Sequence, residues 1–171
     1  KDYWFTTDGV MLSKFYLIND NMYYFGGSDD GSMKTGSQTV KDNTGDSYKF
    51  YFYTKDTYGY KKGAGVVGNQ SNKLYYYGLL LTADDYKYQV AKVGGYEFII
   101  NSNGSIQHSY GATYKEDGDE LVVVGDQIKY DKDGNYVSGT AEYVADGQYK
   151  YGFKSGITNK VSDVDLSQFY R

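Results

Sequence analysis

His108 is the sole imidazole of the chain, so any acid–base chemistry built on histidine must run through it. A nucleophilic triad would also need a serine and a carboxylate in matched geometry around that ring. Ser and Asp are plentiful, but no nucleophile-elbow motif occurs, and a solvated turn residue is the simpler reading. Glu97, Glu116, Glu120 and Glu142 could supply the carboxylate pair of a glycoside hydrolase, yet that pair must flank a cleft. Charges in turns are ordinarily just solvated. Asp131-Lys132-Asp133-Gly134-Asn135 and Asp117-Gly118-Asp119-Glu120 gather oxygen ligands suited to Ca²⁺. The first, however, has its glycine two residues early for a calcium loop. Asp-Gly as a turn accounts for both. Gly63-Ala64-Gly65-Val66-Val67-Gly68 and Gly94-Gly95 lack the Lys-Ser/Thr pair of a phosphate loop and read as connections. The expectation is no catalytic residue, no metal and no cofactor.

The chemistry that remains belongs to the rings. The chain carries 23 Tyr, 8 Phe and one Trp among 171 residues, with no Cys and no Pro. Tyr and Trp rings stack on the apolar faces of sugars and keep a polar tip for hydrogen bonding. Trp4, Tyr24, Tyr51, Tyr53 and Tyr76 are the candidate ligand-binding residues. The competing reading is that these rings are core, because so few aliphatic residues are available to fill one.

Such rings must be presented by a repeated element. Tyr3-Trp4-Phe5-Thr6-Thr7-Asp8-Gly9-Val10-Met11 returns near the other end as Ile128-Lys129-Tyr130-Asp131-Lys132-Asp133-Gly134-Asn135-Tyr136. Between them lie Met22-Tyr23-Tyr24-Phe25 with Asp30-Gly31, Tyr48–Tyr53 with Gly59, Leu74-Tyr75-Tyr76-Tyr77 with its turn glycine missing, and Phe98-Ile99-Ile100 with Asn103-Gly104. A partial unit, Gly147–Phe153, follows. Each unit reads as a β-hairpin, since Asp-Gly and Asn-Gly supply the positive φ of tight turns and aromatic residues favour strands. In the third unit, alternation puts Tyr48, Phe50 and Phe52 on one face and Tyr51 and Tyr53 on the other. Isolated hairpins are marginal in water, so the units must stack on one another. The predicted fold is all-β: residues 1–171 form a single array of about six to seven aromatic hairpins, stacked like a solenoid. The best candidate for a departure is the tail, 161–170, which could be a strand or a short capping helix.

Charge and hydropathy narrow the partners. A net charge of −4 argues against nucleic acid, which needs a concentrated basic face, and weakens an electrostatic attraction to anionic lipid or teichoic acid. Neutral glycans and cationic groups remain compatible. No apolar run is long enough to span a bilayer, so no membrane insertion is expected. The chain opens on Lys1, as a processed or trimmed piece would.

Tyr23-Tyr24-Phe25 followed by Asp30-Gly31-Ser32-Met33-Lys34-Thr35-Gly36 resembles the cell-wall-binding repeat of bacterial surface proteins. That family includes choline-binding modules, glucan-binding repeats and the receptor-binding ends of large glucosylating toxins. The match is best in the first, second and sixth units. The resemblance implies a β-hairpin solenoid, a secreted or surface-attached location, and non-catalytic binding of cell-wall polysaccharide or host glycan. Met22 and Ser37 stand where the family carries tryptophans, and Trp4 is the only one present. A quaternary ammonium is held best against Trp faces, so choline is not the expected ligand. The alternative is a structural spacer or adhesin stalk whose rings are all core.

Overall fold

The computed structural model describes residues 1–57, 59–84, 88–93 and 96–107, and beyond them the backbone of 113–115, 121–123, 129–130, 136–137, 143–145 and 148–149. Every regular element among the described residues is a strand. In chain order these are β1 (Phe15–Ile18), β2 (Asn21–Tyr24), β3 (Gly36–Lys41), β4 (Ser47–Phe52), β5 (Gly68–Gln70), β6 (Lys73–Tyr76) and β7 (Leu79–Leu80). There follow β8 (Gln89–Val93), β9 (Tyr96–Ile100), β10 (Thr113–Lys115), β11 (Leu121–Val123), β12 (Lys129–Tyr130), β13 (Tyr136–Val137), β14 (Tyr143–Ala145) and β15 (Gln148–Tyr149). The all-β class holds. Two compact units divide the described residues, one holding 1–67 and 75–80 and the other 68–74 and the residues from 81 onward.

In the first unit, β1 and β2 form an antiparallel hairpin in which Phe15 faces Tyr24 and Leu17 faces Met22. Asn19 and Asp20 turn the chain with φ of 49° and 61°, the two positive angles a two-residue hairpin of matching twist requires. Alternation then sends Phe15, Met22 and Tyr24 to one face, and Ile18, Tyr23 and Phe25 to the other. Both faces are covered. Phe15 and Met22 pack with Val40, Phe50, Phe52 and Leu79, with Tyr24, Tyr48 and Tyr77 around them. Tyr23 and Phe25 pack with Leu12 and Ala64, joined by Trp4, Ile18, Met33, Tyr53 and Tyr60.

Strand β4 pairs with β3 along its length, from Ser47–Lys41 to Phe52–Gly36, and meets β7 at Phe50–Leu79. Phe50 and Phe52, two residues apart, stack with centroids 5.9 Å apart and planes 3° from parallel. The expected face of this strand is confirmed: Phe50 and Phe52 are buried and Tyr51 is half-buried.

Three expectations of the turn pattern need correction. The ring-rich segment Met22-Tyr23-Tyr24 does not turn back through Asp30-Gly31; its hairpin partner precedes it, through Asn19-Asp20. The turn glycine missing from the fourth unit is Gly78: with Tyr77 it makes a two-residue turn at φ of 91° and 48°, joining Tyr75–Tyr76 to β7. Nor is Gly63–Gly68 a mere connection. Ala64 and Val66 are fully buried, Gly65 bridges Phe52, and a Cβ on Gly65 would lie 2.5 Å from the Tyr77 carbonyl oxygen. This segment acts as core. The turns at Gly9, Gly59 and Gly104 do close short hairpin pairings, Phe5–Met11, Thr57–Tyr60 and Ile100–Ile106.

In the second unit β8 and β9 pair antiparallel from Gln89–Ile100 to Val93–Tyr96. Strand β9 is flanked on its other side by β15, which pairs with β14. Phe98, Ile99, Ile100 and Ile106 are buried here with Ala91 and Val93. Strands β10–β11 and β12–β13 are further antiparallel pairs, the latter spanning the sixth sequence unit. The turn residues of that unit, the 161–170 tail and Gly94-Gly95 lie outside the described residues.

Truncating Phe52 removes a ring that is fully buried between Phe50, Phe15 and Tyr24. Phe52→Ala should cost about 3–5 kcal/mol, the range for deleting a buried Phe side chain. Half-buried Tyr51→Ala should cost clearly less. Urea unfolding of the two variants checks the order.

Candidate functional site

Aromatic crowding on both faces of the β1–β2 hairpin leaves some rings at the surface, and these divide into separate groups. Trp4 is half-buried, 5.1 Å from Tyr23 and 5.8 Å from Phe25 by ring centroid. Its carbonyl accepts the Leu12 N–H at 2.8 Å, which ties the first hairpin to that cluster. Tyr53 joins the same cluster, stacked on Tyr60 at 5.2 Å, and burial raises its phenol pKa. Tyr3 and Phe5, beside Trp4 in the chain, are 44% and 60% exposed. Tyr51 is half-buried against Tyr75 at 6.0 Å. Tyr76 meets Tyr77 edge-on at 4.8 Å, while the Tyr77 hydroxyl donates to Asp20 Oδ1 at 3.1 Å. The structure thus brings Trp4 and Tyr53 into one cluster and leaves Tyr51 and Tyr76 each with a ring partner of its own.

Tyr24 lies apart from these, over a concave place. A surface depression of about 150 Å³ is lined by Lys14, Phe15, Tyr24, Gly26, Gly27, Val40 and Lys41. Two of these lining residues, Phe15 and Tyr24, stack on each other with centroids 4.5 Å apart and planes at 29°. Phe15 is buried and Tyr24 half-buried, so the accessible ring is that of Tyr24. Burial pushes the Tyr24 phenol pKa up, an effect Lys34 opposes and Asp30 adds to. The phenol therefore stays protonated and remains a donor as well as an acceptor at neutral pH.

Backbone pairing fixes the rim. The Lys14 N–H donates to the Gly26 carbonyl and the Phe25 N–H to the Lys14 carbonyl, both at 2.7 Å. Lys14 itself holds φ of 62° and Gly26 φ of 75°. A Cβ on Gly26 would lie 2.8–2.9 Å from the Asp30 side chain, so the Gly26–Gly31 turn closes tightly over that carboxylate. Asp30 accepts from the Ser32 hydroxyl, from the Ser32 N–H at 3.1 Å, and pairs with Lys34 Nζ at 2.5 Å. The Lys34 ammonium first, then the Ser32 hydroxyl and N–H, hold the Asp30 carboxyl far below the usual carboxylate range.

Sequence reasoning picked Tyr24 but missed Lys14, Phe15, Val40 and Lys41. Phe15 precedes the repeat pattern, and the one signal that could have found it is Asn19-Asp20, a turn dipeptide that places Phe15 opposite Tyr24. Lys14 and Lys41 come from segments 27 residues apart, and only strand register joins them. His108, Glu116, Glu120, Glu142 and the two acidic loops lie outside the described residues, as does the side chain of Glu97.

No family model matches the chain, and no curated protein matches it. Solved structures similar to it include choline-binding protein F from Streptococcus pneumoniae, 26% identical over 80% of this chain and 44% of that one, with a TM-score of 0.43. CbpF in complex with ipratropium is 22% identical over 86% of this chain and 41% of that one, at 0.42. CbpJ from Streptococcus pneumoniae is 17% identical over 86% and 45%, at 0.40. Choline-binding proteins are the class that the repeat pattern resembles. The chain spans less than half the length of each of these structures.

The Asp30 carboxyl gives this region a pH signature. Its folded pKa is depressed, so its stabilising contribution is present above the ordinary carboxylate range and is lost as pH falls through the folded value. Asp30→Asn should therefore lower Tm at neutral pH. Its deficit relative to the parent should shrink steadily as pH is lowered below the ordinary carboxylate range, as differential scanning calorimetry can follow.

Proposed function

We propose that this chain binds carbohydrate of a cell wall or host surface without catalysing a reaction on it, as part of a secreted or surface-attached bacterial protein. The observation that carries this reading is the Phe15–Tyr24 stack in the lining of an open depression. A half-buried tyrosine supported from below by a buried ring is a rigid platform. It loses little entropy when a sugar stacks on it, and its hydroxyl remains free to hydrogen-bond.

Size supports a polymer over a small free ligand. The depression, at about 150 Å³, is smaller than the roughly 300 Å³ at which enclosed small-molecule pockets begin. It suits one residue of a chain lying across the surface, with neighbouring residues free to reach other rings. Trp4, with Tyr3 and Phe5 exposed beside it, offers a second such surface in the same unit. Affinity at one such site is expected to be weak, and repetition along a polymer would raise it through effective concentration.

The spacer reading keeps one specific observation in its favour. Tyr51 and Tyr76 each spend a ring face or edge on another tyrosine, as core residues do. They are accordingly the controls. Tyr24→Ala should weaken glycan binding by roughly fivefold or more, since a stacking ring contributes about 0.5–1.5 kcal/mol beyond its area. Tyr51→Ala should leave binding unchanged. Titration of both variants with wall and host oligosaccharides, with near-ultraviolet circular dichroism as the check of folding, decides. Absence of binding to every glycan by the parent chain would leave the spacer reading standing.

A further inference from the structure

We infer that the Lys14–Lys41 depression selects an acidic saccharide, a sugar or polyol unit that carries a carboxylate or phosphate. The inference rests on the carbohydrate reading of this same depression and names its ligand class.

Two cations stand among its seven lining residues, one from the segment before β1 and one from the end of β3. Lys14 is half-buried and Lys41 exposed, and neither makes an ion pair with a described residue. The acids nearest them in the chain are largely engaged. Asp30 is paired with Lys34 and bonded to Ser32. Asp42 follows Lys41 directly, but its carboxylate closes the β3–β4 turn, accepting from the Thr44 hydroxyl at 2.7 Å and from the Thr44 and Asp46 N–H groups at 2.9 and 3.0 Å. Asp29 is the remaining exposed acid of the Gly26–Gly31 turn. A Cβ at Gly27 would meet nothing within 4 Å, so the lip beside the two lysines is open to a substituent.

The alternative charge type fits poorly. A quaternary ammonium would approach two like charges. It is also held best against Trp faces, and no tryptophan lines the depression. The chain's negative net charge does not oppose an anion here. Charges more than about 8 Å away are screened at physiological salt, and the two lysines dominate at contact distance.

The test uses the full chain and four probes: a galacturonate tetrasaccharide, a glycerol-phosphate oligomer, a neutral galactose tetrasaccharide and choline. Each is titrated by calorimetry at low and at physiological salt. An exposed charge contact is worth about two- to fivefold in affinity, so two lysines should favour an acidic probe over the neutral one by about tenfold. Lys14→Gln/Lys41→Gln should bring the acidic probe down to the neutral one's affinity, leave the neutral probe unchanged, and abolish the salt dependence. Preference for either acidic probe upholds the inference, and the tighter of the two identifies the anion. Equal or tighter binding of the neutral probe, or an unaltered preference in the double variant, overturns it while the carbohydrate reading survives. Saturable choline binding that displaces the acidic probe also overturns it. Absence of binding by all three saccharide-type probes, where Tyr24→Ala likewise changes nothing, removes both readings together.

Discussion

The first unit depends on a hairpin that is buried on both sides. In an ordinary antiparallel hairpin one face meets the core and the other meets water, and the sequence alternates accordingly. Here Met22 and Tyr23, adjacent in β2, are 1% and 3% exposed on opposite faces. One is seated against Phe50 and Phe52, the other against Leu12 and Ala64. The hairpin works as the middle layer of its unit, and removing either flanking layer would expose rings that water does not tolerate. Each layer therefore derives its stability from its neighbour, as in repeat proteins whose units cannot fold alone.

Glycine serves this layering where side chains of one segment must close on the backbone of another. Met11 lies over Gly31, and the Met33 sulfur sits where a Cβ on Gly63 would come within 2.5 Å. In each pairing the methionine two residues beyond one turn glycine seats on a later glycine of positive φ. Thioethers suit this position because their flexible, polarisable chains fill irregular gaps. At Asp30-Gly31 the same glycine both turns the chain and seats the methionine of the preceding unit.

This explains what was legible and what was not. Composition and turn dipeptides led directly to an all-β chain, and alternation in Tyr48–Phe52 correctly separated buried Phe50 and Phe52 from half-buried Tyr51. Strand pairing does not follow from the Asp-Gly dipeptides, because other dipeptides turn several of the hairpins. In β1–β2 that role falls to Asn19-Asp20, in β5–β6 to Ser71-Asn72 and in β6–β7 to Tyr77-Gly78, all at positive φ. Tyr77 at φ of 48° has no local signal, since a large aromatic residue is disfavoured there and tertiary packing overrides the preference. The depression was legible only at Tyr24. Its lysines are brought together by register across strands, and register is a property of the folded sheet, not of any short window.

The same constraint accounts for where a ligand can be received. A core made of rings in thin layers has no room for a deep enclosed cleft, because every interior position must be filled by a side chain reaching across one layer. What it can offer is the outer side of a ring whose inner side is already supported, and Tyr24 on Phe15 is that arrangement. Shallow ring platforms recognise shape weakly, so discrimination has to come from whatever charged groups stand at their edge. Around this platform the carboxylates of Asp30 and Asp42 are consumed by their own turns, whereas Lys14 and Lys41 pair with no acid among the described residues. The fold therefore separates the two tasks: aromatic layering supplies the surface, and the charge left unspent at its rim sets what that surface prefers.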